Sequence, residues 1–350
     1  MSDGLLIVPR LRVQNANGIS APMTWGFPSM TSFLGLMWAL ERKVAPRLPI
    51  IFKEVGVVCH DFAPQVSMDN YVNVFHLKRQ PPITKKEQEN FLKGTPPSIV
   101  EECRVHMTIS LVFRVGGEAL NEGVEALSVT AARIAETLQS MRIAGGSVLP
   151  VKYPRRPELH ILSQDSGERQ AQFHELRRAL LPGFTLVSRH DLLESHLREL
   201  QATNADATLW DAWLNLSCLT WRAEMPETPE DGHTAPAPAA PDATTPPATP
   251  AHPPTGLDAK AEWKHNRTQG WIVPIPVGYG ALSPLHPAGA VARARDTTTP
   301  FRFVESIYSI GQWIGPHRLD DVSQMLWYAD YDEENGVYNC CNDYAAASAL

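Results

Sequence analysis

The chain has 350 residues, of which 43% are apolar, and this is enough for one large domain or two smaller hydrophobic cores. No run of eighteen apolar residues occurs, which excludes a membrane-spanning helix. The five cysteines show no CxxC spacing, so neither a disulfide framework nor a zinc ribbon is expected. Because the first ten residues lack the basic leader and apolar core of a secretion signal, we expect a cytoplasmic protein.

The net charge of -7 is unevenly distributed along the chain. Residues 1–157 carry 18 Lys and Arg against 13 Asp and Glu, a balance of +5, and the remaining residues carry 13 against 25, a balance of -12. Local charge decides what a phosphate backbone experiences. The mildly basic first part is therefore compatible with a nucleic-acid partner, although five extra positive charges favour one only slightly.

The first half of the chain alternates between predicted strands and helices. Apolar or alternating runs predict strands at residues 5–13, 54–63, 71–77 and 103–115. A helix is predicted at residues 29–44, begun by Ser29 or Thr31, with an apolar stripe of Phe33, Leu36, Met37, Leu40 and Val44. A second helix is predicted at residues 123–141, with Val124, Leu127, Ala131, Ile134 and Leu138 facing inward.

This order, β-α-β-β with further β, then α and a last strand, favours an α+β fold. We expect a modified ferredoxin-like, RNA-recognition-type sheet with two helices on one face. A basic segment at residues 76–100, which is too polar for a core layer, would interrupt this sheet. Additional helices are expected at about 165–222, where a Ser-x-x-Asp capping box begins at Ser188 and tryptophans follow at helical spacing.

A segment rich in Pro, Ala and Thr occupies residues 226–257. Ten of the thirty prolines lie between residues 226 and 254, so this segment cannot bury enough apolar surface to order itself. We predict a disordered insertion here. The remaining residues, 258–350, contain few strand-like runs and are expected to complete the sheet begun earlier.

Several residues between the predicted elements are candidates for binding. In MRIAGGSV, bare glycines at Gly145 and Gly146 could let a polyanionic backbone approach, with Arg142 and Lys152 beside it. The alternative is a tight turn that needs positive φ. Trp25 lies in a Pro-bounded polar loop and is a candidate for stacking on a nucleobase, with core packing as the alternative.

Signatures of catalysis are missing from the sequence. No Gly-Lys-Ser/Thr, GxSxG or HExxH motif occurs. His60 and Asp61 form a pair that some metal-dependent hydrolases use, but it ends a strand-like run and no second His/Asp cluster accompanies it. We interpret His60 as structural and expect no enzyme activity, no metal and no cofactor.

Five long stretches together resemble a known family. They are PRLRVQNANGISAPMTWGFPSMTSFLGLMWALER (9–42), GVVCHDF (56–62), MRIAGGSVLP (141–150), GWIVPIPVGYGALSP (270–284) and RARDTTTPFRFVESIYSIGQWIGPHRL (293–319). The chain resembles the second subunit of the type I-F CRISPR surveillance complex, the Csy complex, in the Cas-five branch of the RAMP superfamily. The likeness covers nearly the whole chain except the Pro-rich segment.

The resemblance implies a non-catalytic RNA-binding subunit with a RAMP core and a thumb-like insertion. Such a subunit binds the five-prime handle of the CRISPR RNA, pairs with the large subunit and adjoins the backbone subunits, and meets target DNA only indirectly. The basic segment at 76–100 is where the thumb should lie, and we expect RNA contacts from four of its residues, Lys78, Arg79, Lys85 and Lys86. No membrane partner is implied.

An amide cluster after the first strand fits the same function. Gln14, Asn15 and Asn17 can hydrogen-bond base edges or ribose hydroxyls, while Arg10 and Arg12 can meet phosphate. The alternative is that the amides only cap a turn.

Two other functions remain open. One is a RAMP endoribonuclease that processes the CRISPR RNA; relatives of that kind often use a His on or near the first helix, and residues 29–44 contain none. The other is a structural adaptor with little RNA contact.

Overall fold

The computed structural model describes residues 3–69, 71–75, 77–79, 84–95, 99–152, 154–218, 221–224, 262–265 and 270–348. The predicted Pro-rich insertion at 226–257 lies outside these residues.

The described residues form strands and helices in a mixed order. The strands are β1 (Gly4–Asn17), β2 (Ile19–Ala21), β3 (Thr24–Trp25), β4 (Ile51–Pro64), β5 (Val66–Asp69), β6 (Val72–Phe75), β7 (Leu77–Arg79), β8 (Ile99–Glu101), β9 (Arg104–Gly116), β10 (Arg142–Ile143), β11 (Gly146–Leu149), β12 (Glu158–Ile161), β13 (Phe184–Ser188), β14 (Trp221–Glu224), β15 (Glu262–His265), β16 (Trp271–Ala281), β17 (Val304–Ile314), β18 (Tyr328–Asp332) and β19 (Val337–Cys341). The helices are α1 (Met30–Val44), α2 (Lys85–Leu92), α3 (Val124–Gln139), α4 (Ser166–Leu176), α5 (His190–Thr203), α6 (Leu209–Ser217) and α7 (Tyr344–Ser348).

Within the described ranges, eleven strands form one antiparallel sheet. Its order is β10-β11-β1-β9-β4-β13-β17-β16-β19-β18, and β12 pairs with the first residues of β1 beside β11. The strands that follow the Pro-rich segment thus join the sheet built by the first half of the chain, since β17 pairs with β13. The α+β class is confirmed at this level.

The first face of the sheet packs on α1 and α3. The predicted stripe of α1 is buried as expected, and so are four of the five inward positions of α3. The prediction was wrong for Val124, whose side chain is 84% exposed. It is the first residue of α3, and the helix first meets the core one turn later, at Leu127.

β1 carries its apolar residues at an irregular spacing. Leu6, Val8, Leu11, Val13 and Ala16 all lie in the core beneath α1 and α3, at intervals of two, three, two and three residues. A regular strand would alternate every two residues. Register shifts between Val8 and Leu11 and between Val13 and Ala16 account for the two extra residues, so β1 contains two β-bulges.

The second face of the sheet is covered over only part of its area. Leu5 and Ile7 of β1 are buried there against Phe173 of α4 and against apolar residues near Leu180 and Met325. Beyond the first bulge, the side chains of β1 on this face are polar and exposed. The sheet therefore has a covered apolar half and an uncovered polar half on the same face.

The region predicted to be helical, 165–222, also contributes a strand that the sequence did not indicate. β13 has only five residues and stands between helices, so its alternation is too short to be distinctive. The predicted capping box at Ser188 was wrong. Arg189 is the N-cap residue of α5 and its guanidinium binds Asp191, whereas a true capping box, formed by Thr208 and Asp211, begins α6.

Between β4 and β9 the chain leaves the main sheet. β5 pairs with β6 and β7 pairs with β8, and α2 lies between β7 and β8 with no buried residue. This is the part of the chain where the thumb-like insertion was predicted.

The C-terminal part is anchored in the core by Trp327. This side chain is fully buried, its indole N–H donates to the Leu186 carbonyl at 2.9 Å, and its backbone N–H and C=O both pair with Val55, each at 2.9 Å. One residue thus joins the C-terminal segment to β13 and β4.

Replacing Trp327 by Ala should lower the free energy of unfolding by about 3–5 kcal/mol, because a large buried ring and its hydrogen bond are lost. Urea denaturation followed by circular dichroism would measure this. Trp210→Ala is the matched control, because that ring is 46% exposed on α6, and it should cost about 1 kcal/mol or less. Equal losses for the two variants would contradict the anchoring role.

Candidate functional site

The uncovered half of the second face carries a row of polar side chains across three strands. Arg12 of β1 pairs with Thr108 of β9, and Thr108 pairs in turn with Asp61 of β4. Directly paired residues of antiparallel strands point to the same face, so the three side chains lie side by side. They line a shallow depression of about 260 Å³, which Gln14 and His106 also border.

A second row runs toward the edge of the sheet. Gln14 pairs with Ser147 of β11, and Ser147 pairs with Arg142 of β10. All three side chains are exposed. We call the five side chains of Arg12, Gln14, Asp61, Thr108 and Ser147 the open face, with Arg142 at its rim.

Both bulges of β1 depend on side chains from β9. Arg10 and Asn15 have positive φ values of 55° and 58°, in the left-handed region that most residues avoid. The Arg10 N–H donates to Ser110 Oγ at 3.1 Å, and the Asn15 N–H donates to His106 Nδ1 at 3.2 Å. Side chains of β9 thus satisfy backbone groups that the bulges remove from the ladder.

The first bulge is part of a partly buried hydrogen-bond chain through His60. His60 Nδ1 lies 2.7 Å from the Pro182 carbonyl, which can only accept, so this nitrogen carries the proton. His60 Nε2 therefore accepts from Ser110 Oγ at 2.6 Å. Burial is the main cause that lowers the pKa of His60 to about 4, so the ring is neutral at pH 7. These bonds give His60 a structural role, in agreement with its interpretation from the sequence.

Arg10 is directed into this network. Its guanidinium donates to the Leu181 carbonyl at 2.8 Å, and its Nε is buried and has no hydrogen-bond partner among the described residues. Burial lowers the pKa of Arg10, and the positive charge of Arg155 adds to this shift. Arg10 thus supports the first bulge, while Arg12, two residues later, lies exposed on the open face. The predicted phosphate contact of Arg10 stays a prediction.

The second bulge is held by an amide network. Gln65 lies within hydrogen-bond distance of the Asn15 side chain and 3.1 Å from His106 Nε2. The same Gln65 amide nitrogen makes both contacts, donating to Asn15 Oδ1, while His106 Nδ1 accepts from the backbone N–H of Asn15. Asn15 is therefore used in part to hold the backbone.

Asn17 also has a local function. Its side-chain Nδ2 donates to the Ile19 carbonyl at 2.8 Å and its Oδ1 accepts from the Ile19 N–H at 3.2 Å. This is the turn-capping role that the sequence left open for the amide cluster. Among the described residues, Gln14 alone of the three amides has an exposed side chain without a hydrogen-bond partner.

The two glycines of MRIAGGSV serve different purposes. Ala144 and Gly145 have φ values of 47° and 79° and join β10 to β11 as a two-residue turn. Gly146 is buried against β1, where a Cβ atom would lie 2.8 Å from both the Ala16 nitrogen and the Gln14 oxygen. Only Gly145 offers its backbone to solvent, and Arg142 Nη1 reaches its carbonyl at 3.5 Å.

The other predicted basic residues lie on different elements. Lys152 is exposed just after β11. Lys85 and Lys86 are exposed in the first turn of α2, and Lys78 and Arg79 belong to β7, whose side chains are outside the description. None of these four residues from the segment between β4 and β9 lies on a strand of the open face.

Trp25 borders a second, larger cavity. Its ring is 62% exposed and meets Phe75 edge-on, with ring centroids 5.2 Å apart. The cavity has a volume of about 560 Å³ and is lined mainly by apolar residues, including Trp271 and Trp313. Asp61 lines both this cavity and the depression on the open face. Trp25 is thus not a core residue.

Sequence reasoning missed His106, Thr108 and Ser110. They alternate with buried apolar residues along β9, and this alternation was the signal that could have identified them as one polar face. Asp61 was considered only as a metal ligand. Among the residues that the structure describes, no three His, Cys, Asp or Glu side chains converge as a metal ion would require.

In the described part of the chain, no helix combines the length and apolar character needed to cross a lipid bilayer.

The chain is similar to known proteins over nearly its whole length. Residues 6–340 match the family described as CRISPR-associated protein (Cas_Csy2). A protein of Pseudomonas aeruginosa (strain UCBPP-PA14), described as CRISPR-associated protein Csy2, is 39% identical over 342 residues, which cover 96% of this chain and 94% of the relative.

The partial burial of His60 should be visible in the pH dependence of stability. Between the ordinary pKa of 6.5 and the folded value of about 4, the unfolded chain binds a proton at His60 that the folded chain does not. The stability of the folded state therefore falls as pH drops through this window. We expect the free energy of unfolding to decrease more between pH 7 and pH 5 for the natural protein than for His60→Gln, and identical decreases would contradict the assignment.

Proposed function

The chain belongs to the CRISPR-associated Csy2 family, and on that premise we propose that it is a non-catalytic RNA-binding subunit of the type I-F interference complex. In this proposal it binds the five-prime handle of the CRISPR RNA. It pairs with the large subunit, adjoins the backbone subunits and meets target DNA only through the guide.

The observation that carries this proposal is the open face. A folded domain usually covers an apolar sheet face, but here part of one face is polar on adjacent strands and is left uncovered. Arg12 supplies a cation for phosphate, and Gln14 supplies an amide that can bind a base edge or a ribose hydroxyl. These are the groups with which proteins hold single-stranded RNA.

The order of the first elements supports a RAMP-type core. Counting β1, β4, β9 and the β11/β12 edge as four successive strands, their spatial order is fourth, first, third, second, and α1 and α3 pack on one face. This is the arrangement of ferredoxin-like and RNA-recognition domains, whose sheet face binds RNA. The open face lies on the side of the sheet opposite α1 and α3.

The segment between β4 and β9 supports the thumb-like role. It consists of two short strand pairs and a helix without buried residues, with Lys85 and Lys86 in the first turn of α2. Residues 76–100 carry five Lys and Arg against two Glu, and the helix within them buries no side chain. A polar stretch with this charge balance is suited to contact RNA rather than to fill a core.

An endoribonuclease is the main alternative, and the two histidines nearest the open face in the described part of the chain already make structural hydrogen bonds. α1 contains no histidine, His60 is tied into the bulge network, and His106 holds the backbone of Asn15. Incubating the purified full chain with CRISPR repeat RNA and resolving the products on a denaturing gel should therefore show intact RNA. Site-specific scission by the chain alone would contradict the proposal.

Binding through the open face predicts a particular salt dependence. Arg12→Ala should weaken binding of CRISPR RNA and make the slope of log K against log salt shallower by about 0.7, because one phosphate contact is lost. Gln14→Ala should weaken binding without changing that slope, since an amide releases no counterion. Fluorescence anisotropy over a salt series would measure both.

The matched control is Arg198→Ala. Arg198 is exposed on α5, away from the open face, and its loss should leave the affinity and slope unchanged. Thermal unfolding of each variant checks that the fold is intact. Equal effects of Arg12→Ala and Arg198→Ala would favour the remaining alternative, a structural adaptor that makes little RNA contact.

A further inference from the structure

The connection between β11 and β12 passes beside the first bulge of β1. β11 pairs with residues 12–14 of β1, and β12 pairs with residues 4–7. Among the described residues, positions 8–11 of β1 therefore have no strand partner on this edge, and they contain the bulge at Arg10. The connection spans this gap and carries the exposed Arg155, a residue that the sequence did not single out.

The positive charge of Arg155 acts on two side chains of the bulge network. Burial is the main cause that lowers the pKa of Arg10 and of His60, and the charge of Arg155 lowers both pKa values further. Because a Coulomb interaction weakens with distance, the Arg155 guanidinium lies near both side chains. His60 bonds Ser110 on the second face of the sheet, so the two arginines meet on that face.

No carboxylate neutralises this pair of arginines in the described part of the chain. Neither Arg10 nor Arg155 forms an ion pair there, not even with Asp61 on the same face, and Arg155 makes no hydrogen bond. Arg10 uses Nη2 for the carbonyls of Leu181 and Pro182, at 2.8 and 3.4 Å, and its Nη1 has no partner among the described residues. Two neighbouring guanidinium groups repel each other, and an anion bound to both relieves that repulsion.

We propose that Arg10 and Arg155 bind a backbone phosphate of the RNA at the boundary between the covered and uncovered halves of the second face. The inference rests on the proposed function, because RNA supplies the phosphate. A guanidinium presents paired N–H donors that match the oxygens of a phosphate. Arg12 lies two residues further along β1, about 7 Å along a strand, so one RNA strand can contact this site and the open face in succession.

The test replaces Arg155, because Arg10 also supports the first bulge. Arg155→Ala in the full chain should weaken binding of CRISPR RNA about tenfold and make the slope of log K against log salt shallower by about 0.7. Arg155→Lys keeps the charge but loses the paired donors, so it should keep the slope and lose part of the affinity. Since Arg155 repels Arg10 in the free chain, Arg155→Ala should not lower the melting temperature.

The matched control is Arg156→Ala. It removes the same charge from the next residue of the same connection, but Arg156 is not among the charges that shift the pKa of Arg10 or His60. Affinity and salt slope should both stay unchanged in this variant.

His60 reports on the site independently of affinity. A phosphate beside Arg10 and Arg155 offsets the positive charges that lower the His60 pKa, so saturating RNA should raise this pKa above its free value of about 4. NMR titration of the histidine ring signals, assigned with His60→Gln, would measure the shift. Inorganic phosphate at the same phosphate concentration should leave the pKa unchanged, because it lacks the other contacts of the strand.

The outcomes separate this inference from the proposed function. If Arg155→Ala leaves affinity and slope unchanged while Arg12→Ala changes both, RNA binds the open face but not this site, and the inference is wrong. Equal effects of Arg155→Ala and Arg156→Ala would also overturn it, because the effect would then come from the general charge of the connection. A full His60 shift with inorganic phosphate alone would assign the site to a free anion instead. Failure of the natural chain to bind RNA would overturn both proposals.

Discussion

Two residues of β1 form the β-bulges that shape the second face of the sheet, which has a covered apolar half and an uncovered polar half. Arg10 and Asn15 adopt left-handed conformations, and their N–H groups leave the ladder for Ser110 and His106 of β9. Each bulge inserts one residue, and each insertion exchanges the face to which the following side chains point. On the second face, Leu5 and Ile7 precede the first bulge and pack against Phe173 of α4, whereas Arg12 and Gln14 follow it and are exposed.

This arrangement explains why polar groups lie buried in the middle of the sheet. Ser110 is fully buried and His60 is kept neutral, yet each makes the hydrogen bonds that its atoms require. A buried polar network that is fully satisfied fixes one backbone geometry, whereas an apolar replacement would leave the bulge N–H without a partner. The boundary between the covered and open halves is thus set by hydrogen bonds rather than by packing alone.

The sequence predicted those features that repeat regularly along the chain. The stripe of α1 and the alternation of β9 are local patterns, and both were confirmed. β1 was predicted to end at residue 13, because its bulges break the alternation, and the strand in fact continues through Asn17. The bulges could not be predicted because the groups that stabilise them, Ser110 and His106, are about ninety to one hundred residues away.

The same limit applies to the candidate site. Arg12 and Gln14 could be proposed from their residue type, but Asn17 proved to be occupied by its own turn. The aromatic cavity combines Trp25 with Trp271 and Trp313, which come together only through the strand order of the complete sheet. Residue type therefore suggested which side chains could bind, while the grouping of residues required the topology.

The most direct measurement of where RNA lies is ultraviolet crosslinking of the assembled complex, followed by mass spectrometry of the crosslinked peptides. If the uncovered half of the sheet holds the RNA, crosslinks should concentrate in peptides that contain the end of β1 and the start of β9. Crosslinks confined to α5, α6 or the β18–β19 hairpin, with none in β1 or β9, would contradict it.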